Sequence, residues 1–286
     1  MELTNSECAV EINKCEENKP MEVVSHHMEN AENTQSNLED EAIANTKPNL
    51  PNANVPEKII LCIDVCFADQ VTVYRLADGT TFSPINMVKK ILEFYINLKF
   101  AINKKTQFAL MLLKNNDAMW LSEFTSNIKE ILLKIDPISA VLCNSETFEF
   151  SKVFDELIEE VLIPNYVEGA VLPPPYVVRM IVLYGRSNCI PVIPDDSFYN
   201  ELKNQIYLFI DILLMHDEDC DANNCEKIYD ALQNLDNGYS YVFEVSRNAT
   251  KAHDCMAKLL AHPLQRALQK NTKYLFPGSQ EQTQLN

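Results

Sequence analysis

Glycine is scarce in this chain, five residues in 286. None of them builds a Gly-rich phosphate loop, so a nucleotide-binding βαβ unit has no support. Aromatic residues are missing until Phe67, and residues 1–57 carry twelve acidic against three basic side chains. Such a segment buries too little apolar surface to offset its ordering entropy, so residues 1–55 are expected to be disordered. Positive charge is short everywhere: 24 Lys and Arg face 41 Asp and Glu, a net charge of −17. No basic stripe marks a nucleic-acid or anionic-membrane partner. No run of 18 apolar residues predicts a membrane span. The opening MELTNSECAV lacks the basic stretch and apolar core of a signal peptide. The nine cysteines are therefore expected as reduced thiols, and the sequon Asn248-Ala249-Thr250 as unused. There is no Gly-x-Ser-x-Gly elbow and no His-Glu-x-x-His pair.

What is present is an alternation of short apolar runs and amphipathic stretches. Strands are predicted at 59–65 (IILCIDV), 107–113, 118–124, 177–184 (VVRMIVLY), 206–214 (IYLFIDILL) and 239–245. The 118–124 run is interrupted by Ser122 and Glu123, which suits a sheet edge and a contact there for Trp120, the single tryptophan. Ser83-Pro84 opens a helix as cap and first residue, and apolar positions from Ile85 to Ile102 follow at helical spacing. Further helices are predicted near 126–135, 148–161, 224–235 and 249–261, the last capped by Asn248. Strands alternating with helices imply a doubly wound, mostly parallel α/β sheet with helices on both faces. The globular domain is placed at 56–250, followed by a helix and tail at 251–286.

In such a sheet ligands bind at the carboxyl ends of the strands, where Asp64 lies. A von Willebrand A-type domain has Asp-x-Ser-x-Ser there, with hard oxygen donors for Mg²⁺. Here the matching positions are Asp64, Cys66 and Ala68, so both hydroxyls are lost, one to a soft thiol. After the 177–184 strand comes Gly185-Arg186-Ser187-Asn188, and an arginine opposes a cation. This reads as a degenerate metal position, with Asp64 accepting backbone N–H groups. The run from His216 to Cys225 matches neither a calcium loop nor two zinc pairs and reads as an acidic surface loop. Cys62 sits in an apolar run and reads as packing, and no base is paired with a thiol by the sequence. Pro173-Pro174-Pro175-Tyr176 fits a WW-domain ligand, or a stiff lead into the strand at Val177, the favoured reading. Near the end, His262-Pro263 breaks the last helix and Leu264-Gln265-Arg266 follows, a proline-fixed turn with a projecting arginine suited to docking. Tyr274 and Phe276 offer a second apolar anchor.

The segments EKIILCIDV, MLLKNNDAMWLSEFTSN, LPPPYVVR and CMAKLLAHPLQR together resemble the von Willebrand A-like adaptor subunits shared by the BRISC and BRCA A deubiquitinase complexes. The resemblance spans about residues 56–276 and implies a non-enzymatic scaffold without cofactor. It implies binding of a ubiquitin-conjugating-enzyme-variant-domain subunit (BRE-type) by the A-like domain and by a Pro-x-x-Arg peptide, here Pro263 to Arg266. Through that subunit it implies an Abraxas-type scaffold and a JAMM zinc deubiquitinase, in nucleus and cytoplasm. Ala267 stands where the family often has a second proline. The competing classes are a divalent-ion-dependent A domain and a cysteine hydrolase.

Overall fold

The computed structural model describes residues 50–68, 71–170, 172–218 and 223–272. Six strands form the main sheet: β1 (Glu57–Asp64), β2 (Gln107–Leu113), β3 (Ala118–Thr125), β4 (Val177–Tyr184), β5 (Leu208–Met215) and β6 (Val242–Val245). Their spatial order is 6-5-4-1-2-3. Every neighbouring pair is parallel except β2 with β3, an antiparallel edge whose register slips near Leu110. The chain leaves β1 in one direction and returns to β4 on its other side. The order therefore reverses between β1 and β4, and their carboxyl ends flank a crevice.

Among the described residues six helices cover the sheet: α1 (Pro84–Ile102), α2 (Ile128–Ile135), α3 (Ser151–Glu160), α4 (Ser197–Lys203), α5 (Cys225–Gln233) and α6 (Ala249–Lys258). Strand periodicity assigns the two cores. Ile59, Leu61 and Ile63 face α1, α2 and α6, whereas Ile60 and Cys62 face α3, α4 and α5. The caps follow the sequence. Ser83 Oγ accepts from Asn86 N–H and Asn248 Oδ1 from Lys251 N–H.

Two boundaries differ from expectation. The segment before residue 56 joins the fold by Leu50, because Leu50 and Ala53 pack on the second core and Val55 is buried in it. Residues 1–49 lie outside the described residues. The last strand starts at Val242 rather than 239, because Asp236 and Asn237 side chains accept the N–H groups of Gly238, Tyr239 and Ser240 and turn the chain there.

The strand runs VVRMIVLY and IYLFIDILL each bury one charge, and the structure pairs them. Lys99 Nζ of α1 meets Glu57 at 2.5 Å; Glu57 also holds Arg179 at 3.2 Å; Arg179 Nε reaches Asp211 at 2.7 Å. Asp211 in turn holds Arg266 of the C-terminal segment. All five groups are buried, so each depends on its neighbours for charge compensation. Burial opposes the charge of Asp211, but Arg266 and Arg179 hold its carboxyl below the ordinary value.

His262 adds a neutral link to this assembly. Its Nε2 lies 3.0 Å from Val55 O and its Nδ1 accepts Leu264 N–H at 3.1 Å, which fixes one uncharged tautomer. Burial lowers its pKa, with Glu57 pulling the other way. A histidine depressed in the folded state takes its proton first when unfolded, so its stabilising contribution is complete above the ordinary imidazole pKa and is lost as pH falls through the folded value. Thermal melts should therefore show the wild type losing more stability between pH 7.5 and 5.5 than His262→Gln. Parallel losses in the two proteins would refute this role.

Candidate functional site

The crevice between β1 and β4 is where a doubly wound sheet receives ligands. Asp64 closes β1 and is buried. Its Oδ1 accepts Cys66 N–H and its Oδ2 accepts Gly185 N–H, both at 3.0 Å. Arg186, next along from β4, donates Nε to both oxygens at 3.0 and 3.1 Å. The rest of the guanidinium is also engaged: Nη1 with Asn115 O at 2.8 Å and Nη2 with Lys114 O at 2.6 Å. The Phe148 ring lies beneath it, 4.6 Å from Arg186 Cζ. Burial pushes the Asp64 carboxyl up, and Arg186 with the two amides opposes that. Burial works against Arg186 as well, and Asp64 holds it above its ordinary value. The backbone at Gly185 must pass close under Phe67: a Cβ there would lie 2.6 Å from the ring. Chemically, the crevice holds a closed ion pair whose oxygens already have donors.

The thiols around the crevice are held in the protonated form by burial. Burial pushes Cys66 up to about 12 and raises Cys62 and Cys189 as well. Six free cysteines occur among the described residues. Ala68 is half-buried and offers no donor. Among the described residues no group of three or more His, Cys, Asp or Glu side chains is arranged to hold a metal ion. No helix among them is long and apolar enough to cross a membrane.

No protein-family profile matches the chain. Among solved structures it is similar to the SpRpn10 VWA domain, at 16% identity and a TM-score of 0.43, covering 75% of this chain and 100% of that one. It is also similar to the PilB minor pilin from Streptococcus sanguinis, at 10% identity and a TM-score of 0.45, covering 75% and 62%. Curated sequences carry more. "BRISC and BRCA1-A complex member 1" of Xenopus laevis is 32% identical over 239 residues, 82% of this chain and 71% of that protein. The Homo sapiens protein of the same name is 31% identical over 230 residues, 78% and 69%. The chain belongs to the BRISC and BRCA1-A complex member 1 family. Its fold is the α/β, mostly parallel sheet described above.

In this member of the family the C-terminal residues do not stand as their sequence suggests. Arg266 does not project. Its head is 3% exposed, bound through Nη1 and Nη2 to both oxygens of Asp211 and through Nη2 to Tyr239 O at 2.8 Å. It stacks 4.0 Å over the Tyr241 ring. The reason is electrostatic: Asp211 is fully buried, and Arg179 alone leaves one of its oxygens without a cation. Pro263 and Leu264 are buried against the domain. Gln269 then clamps β6, its Oε1 accepting Val242 N–H and its Nε2 donating to Val242 O, each at 2.8 Å. Gln265 and Ala267 are the exposed positions of the turn. Tyr274 and Phe276 lie outside the described residues.

The remaining flagged residues have structural partners. Asp217 accepts Thr72 N–H at 2.9 Å and Arg247 Nε at 3.0 Å, tying the acidic loop down at its start; residues 219–222 of that loop lie outside the described residues. Tyr176 Oη donates to Leu162 O at 2.8 Å and Lys58 sits over its ring, so the tyrosine of the proline run is engaged by its own chain. Trp120 stands on edge strand β3 beside Phe124, and its backbone N–H donates to Glu156 Oε2 at 2.9 Å.

The Asp64–Arg186 pair yields a direct prediction. Arg186→Met leaves a buried carboxylate without its cation and should cost about 3–5 kcal/mol in denaturant unfolding. A loss under about 1 kcal/mol would show that the pair does not hold the crevice shut.

Proposed function

We propose that this protein is a non-catalytic adaptor subunit of a JAMM-type deubiquitinase assembly of the BRISC and BRCA1-A kind. It binds the subunit built from ubiquitin-conjugating-enzyme-variant domains, and through it an Abraxas-type scaffold and the JAMM zinc enzyme, in nucleus and cytoplasm. The observation that carries this reading is the family match across 71% of a protein named as a member of those complexes. The crevice geometry supports it. The position of a divalent cation at Asp64 is taken by the guanidinium of Arg186, and Cys66 and Ala68 supply no hard oxygen, so the residues do not fit Mg²⁺. This is a degenerate metal position put to structural use, and titration calorimetry with Mg²⁺ should give no saturable heat.

The partner contact includes the C-terminal segment, with the work divided along it. Pro263, Leu264 and Arg266 fix the shape of the turn from inside, while Gln265, Ala267 and the chain through Tyr274 and Phe276 meet the partner. A segment already held by Asp211 loses little entropy on docking. Arg266→Ala should therefore lower both partner affinity and the melting temperature, with a stability loss on the order of 3 kcal/mol. The double change Tyr274→Ala, Phe276→Ala should weaken pull-down of the purified variant-domain subunit while the melting temperature holds. Undiminished pull-down by both proteins would remove the C-terminal segment from the interface.

A further inference from the structure

Of the thirteen large apolar side chains exposed among the described residues, five share one stretch of surface, and two of those are the most exposed of all. Ile158, Leu162, Val167, Leu172 and Phe198 all belong to the end of α3, the following loop and the start of α4, and Leu162 and Leu172 are 78% and 80% exposed. Tyr176 ties this loop to the entry of β4, so the surface lies at the foot of the sheet, away from Asp64. Leu162 and Phe198 border a cleft of about 380 Å³. Val167 and Leu172 border a second of about 320 Å³, with residues 161–163 and 165 lining the first cleft and 166–167, 169–170 and 172–173 contributing to the second. Leucines this exposed on a loop anchored at its base cost solubility unless something covers them.

The charge around the clefts says what kind of cover fits. Glu159, Glu160, Glu168, Asp195, Asp196 and Glu201 are all exposed there. Between residues 155 and 205 the basic side chains are Arg179, Arg186 and Lys203. The two arginines are buried in their ion pairs, and Lys203 is drawn to Asn234 O at 2.9 Å. The rim is therefore predominantly negative, six exposed carboxylates against Lys58 over the Tyr176 ring and Lys152 at the far end of α3. A second copy of a chain with a net charge of −17 would bring like charge to this rim. Residues 1–49 are acidic too, eleven Asp and Glu against three Lys. We propose that this surface receives a segment of another subunit of the assembly, one with apolar anchors for the two clefts and Lys or Arg flanking them. Apolar burial supplies the affinity and the acidic rim the orientation.

This inference rests on the adaptor reading above, and the test separates the two. A photo-crosslinking benzoylphenylalanine is placed at Leu162 or at Phe198 of the full chain. The chain is co-expressed with the variant-domain subunit, the Abraxas-type scaffold and the JAMM enzyme, and adducts are mapped by mass spectrometry. The expected adduct is a partner peptide in which apolar residues neighbour Lys or Arg. Leu162→Asp with Phe198→Asp should weaken assembly at least tenfold at an unchanged melting temperature. Glu159→Lys with Glu160→Lys should weaken it too and flatten its dependence on salt. Normal assembly with no adduct at either position would overturn the patch and spare the adaptor reading. So would an adduct with residues 273–286 of the same chain or with a second copy. If the unlabelled chain fails to join the assembly at all, the adaptor reading falls and this inference with it.

Discussion

Asp211 is the group on which the lower half of this domain depends. It is a carboxylate in the middle of an apolar strand, fully out of water, and burial at such a site has a large cost unless cations reach it. Two do, from opposite directions: Arg179 from the neighbouring strand and Arg266 from the end of the fold. Tyr241 N–H completes its shell at 2.7 Å. One carboxylate thus ties β4, β5, the entry to β6 and the C-terminal turn. Glu57 repeats the device two strands away, joining β1 to α1 through Lys99 and to β4 through Arg179. Burial pulls Lys99 down to about 8 while Glu57 pulls it up, so its proton is the most loosely held charge of the group. Losing it leaves two arginines facing two carboxylates.

Asp64 and Arg186 solve the same problem at the other end of the sheet. There a doubly wound fold leaves a crevice by topology alone, since neighbouring connections run apart. A crevice with a bare carboxylate invites a cation. This chain supplies the cation itself, four bonds deep in backbone carbonyls and carboxylate, and closes the opening with Phe67 and Phe148.

The strands and long helices were legible because their hydrophobic periods are strong and their caps are local. Ser83-Pro84 and Asn248 mark helix starts within a few residues of sequence, and the short apolar run 59–65 suits a strand buried on both faces. The loss of hydroxyls at Cys66 and Ala68 was equally plain, and Arg186 was visible as an opposing charge. Its distance to Asp64 was not, because 122 positions separate them and only the sheet order joins them. Arg266 misled for the same reason. A proline turn ending in arginine looks like a hook when its partner, Asp211, lies 55 residues upstream inside IYLFIDILL. The signal that could have found it was that aspartate itself: a charge in a fully apolar strand must have a counterion, and VVRMIVLY supplies only one. The exposed cluster around Leu162 was illegible, because nothing in the sequence says which apolar residues the core leaves out.

The clamp that Gln269 places on Val242 bears on more than local geometry. Strand β6 ends the sheet, and a terminal strand with bare amides and carbonyls is a template on which another chain can polymerise. One glutamine side chain satisfies a donor and an acceptor there as a neighbouring strand would. The turn at Gln269 thus also covers part of an open sheet edge.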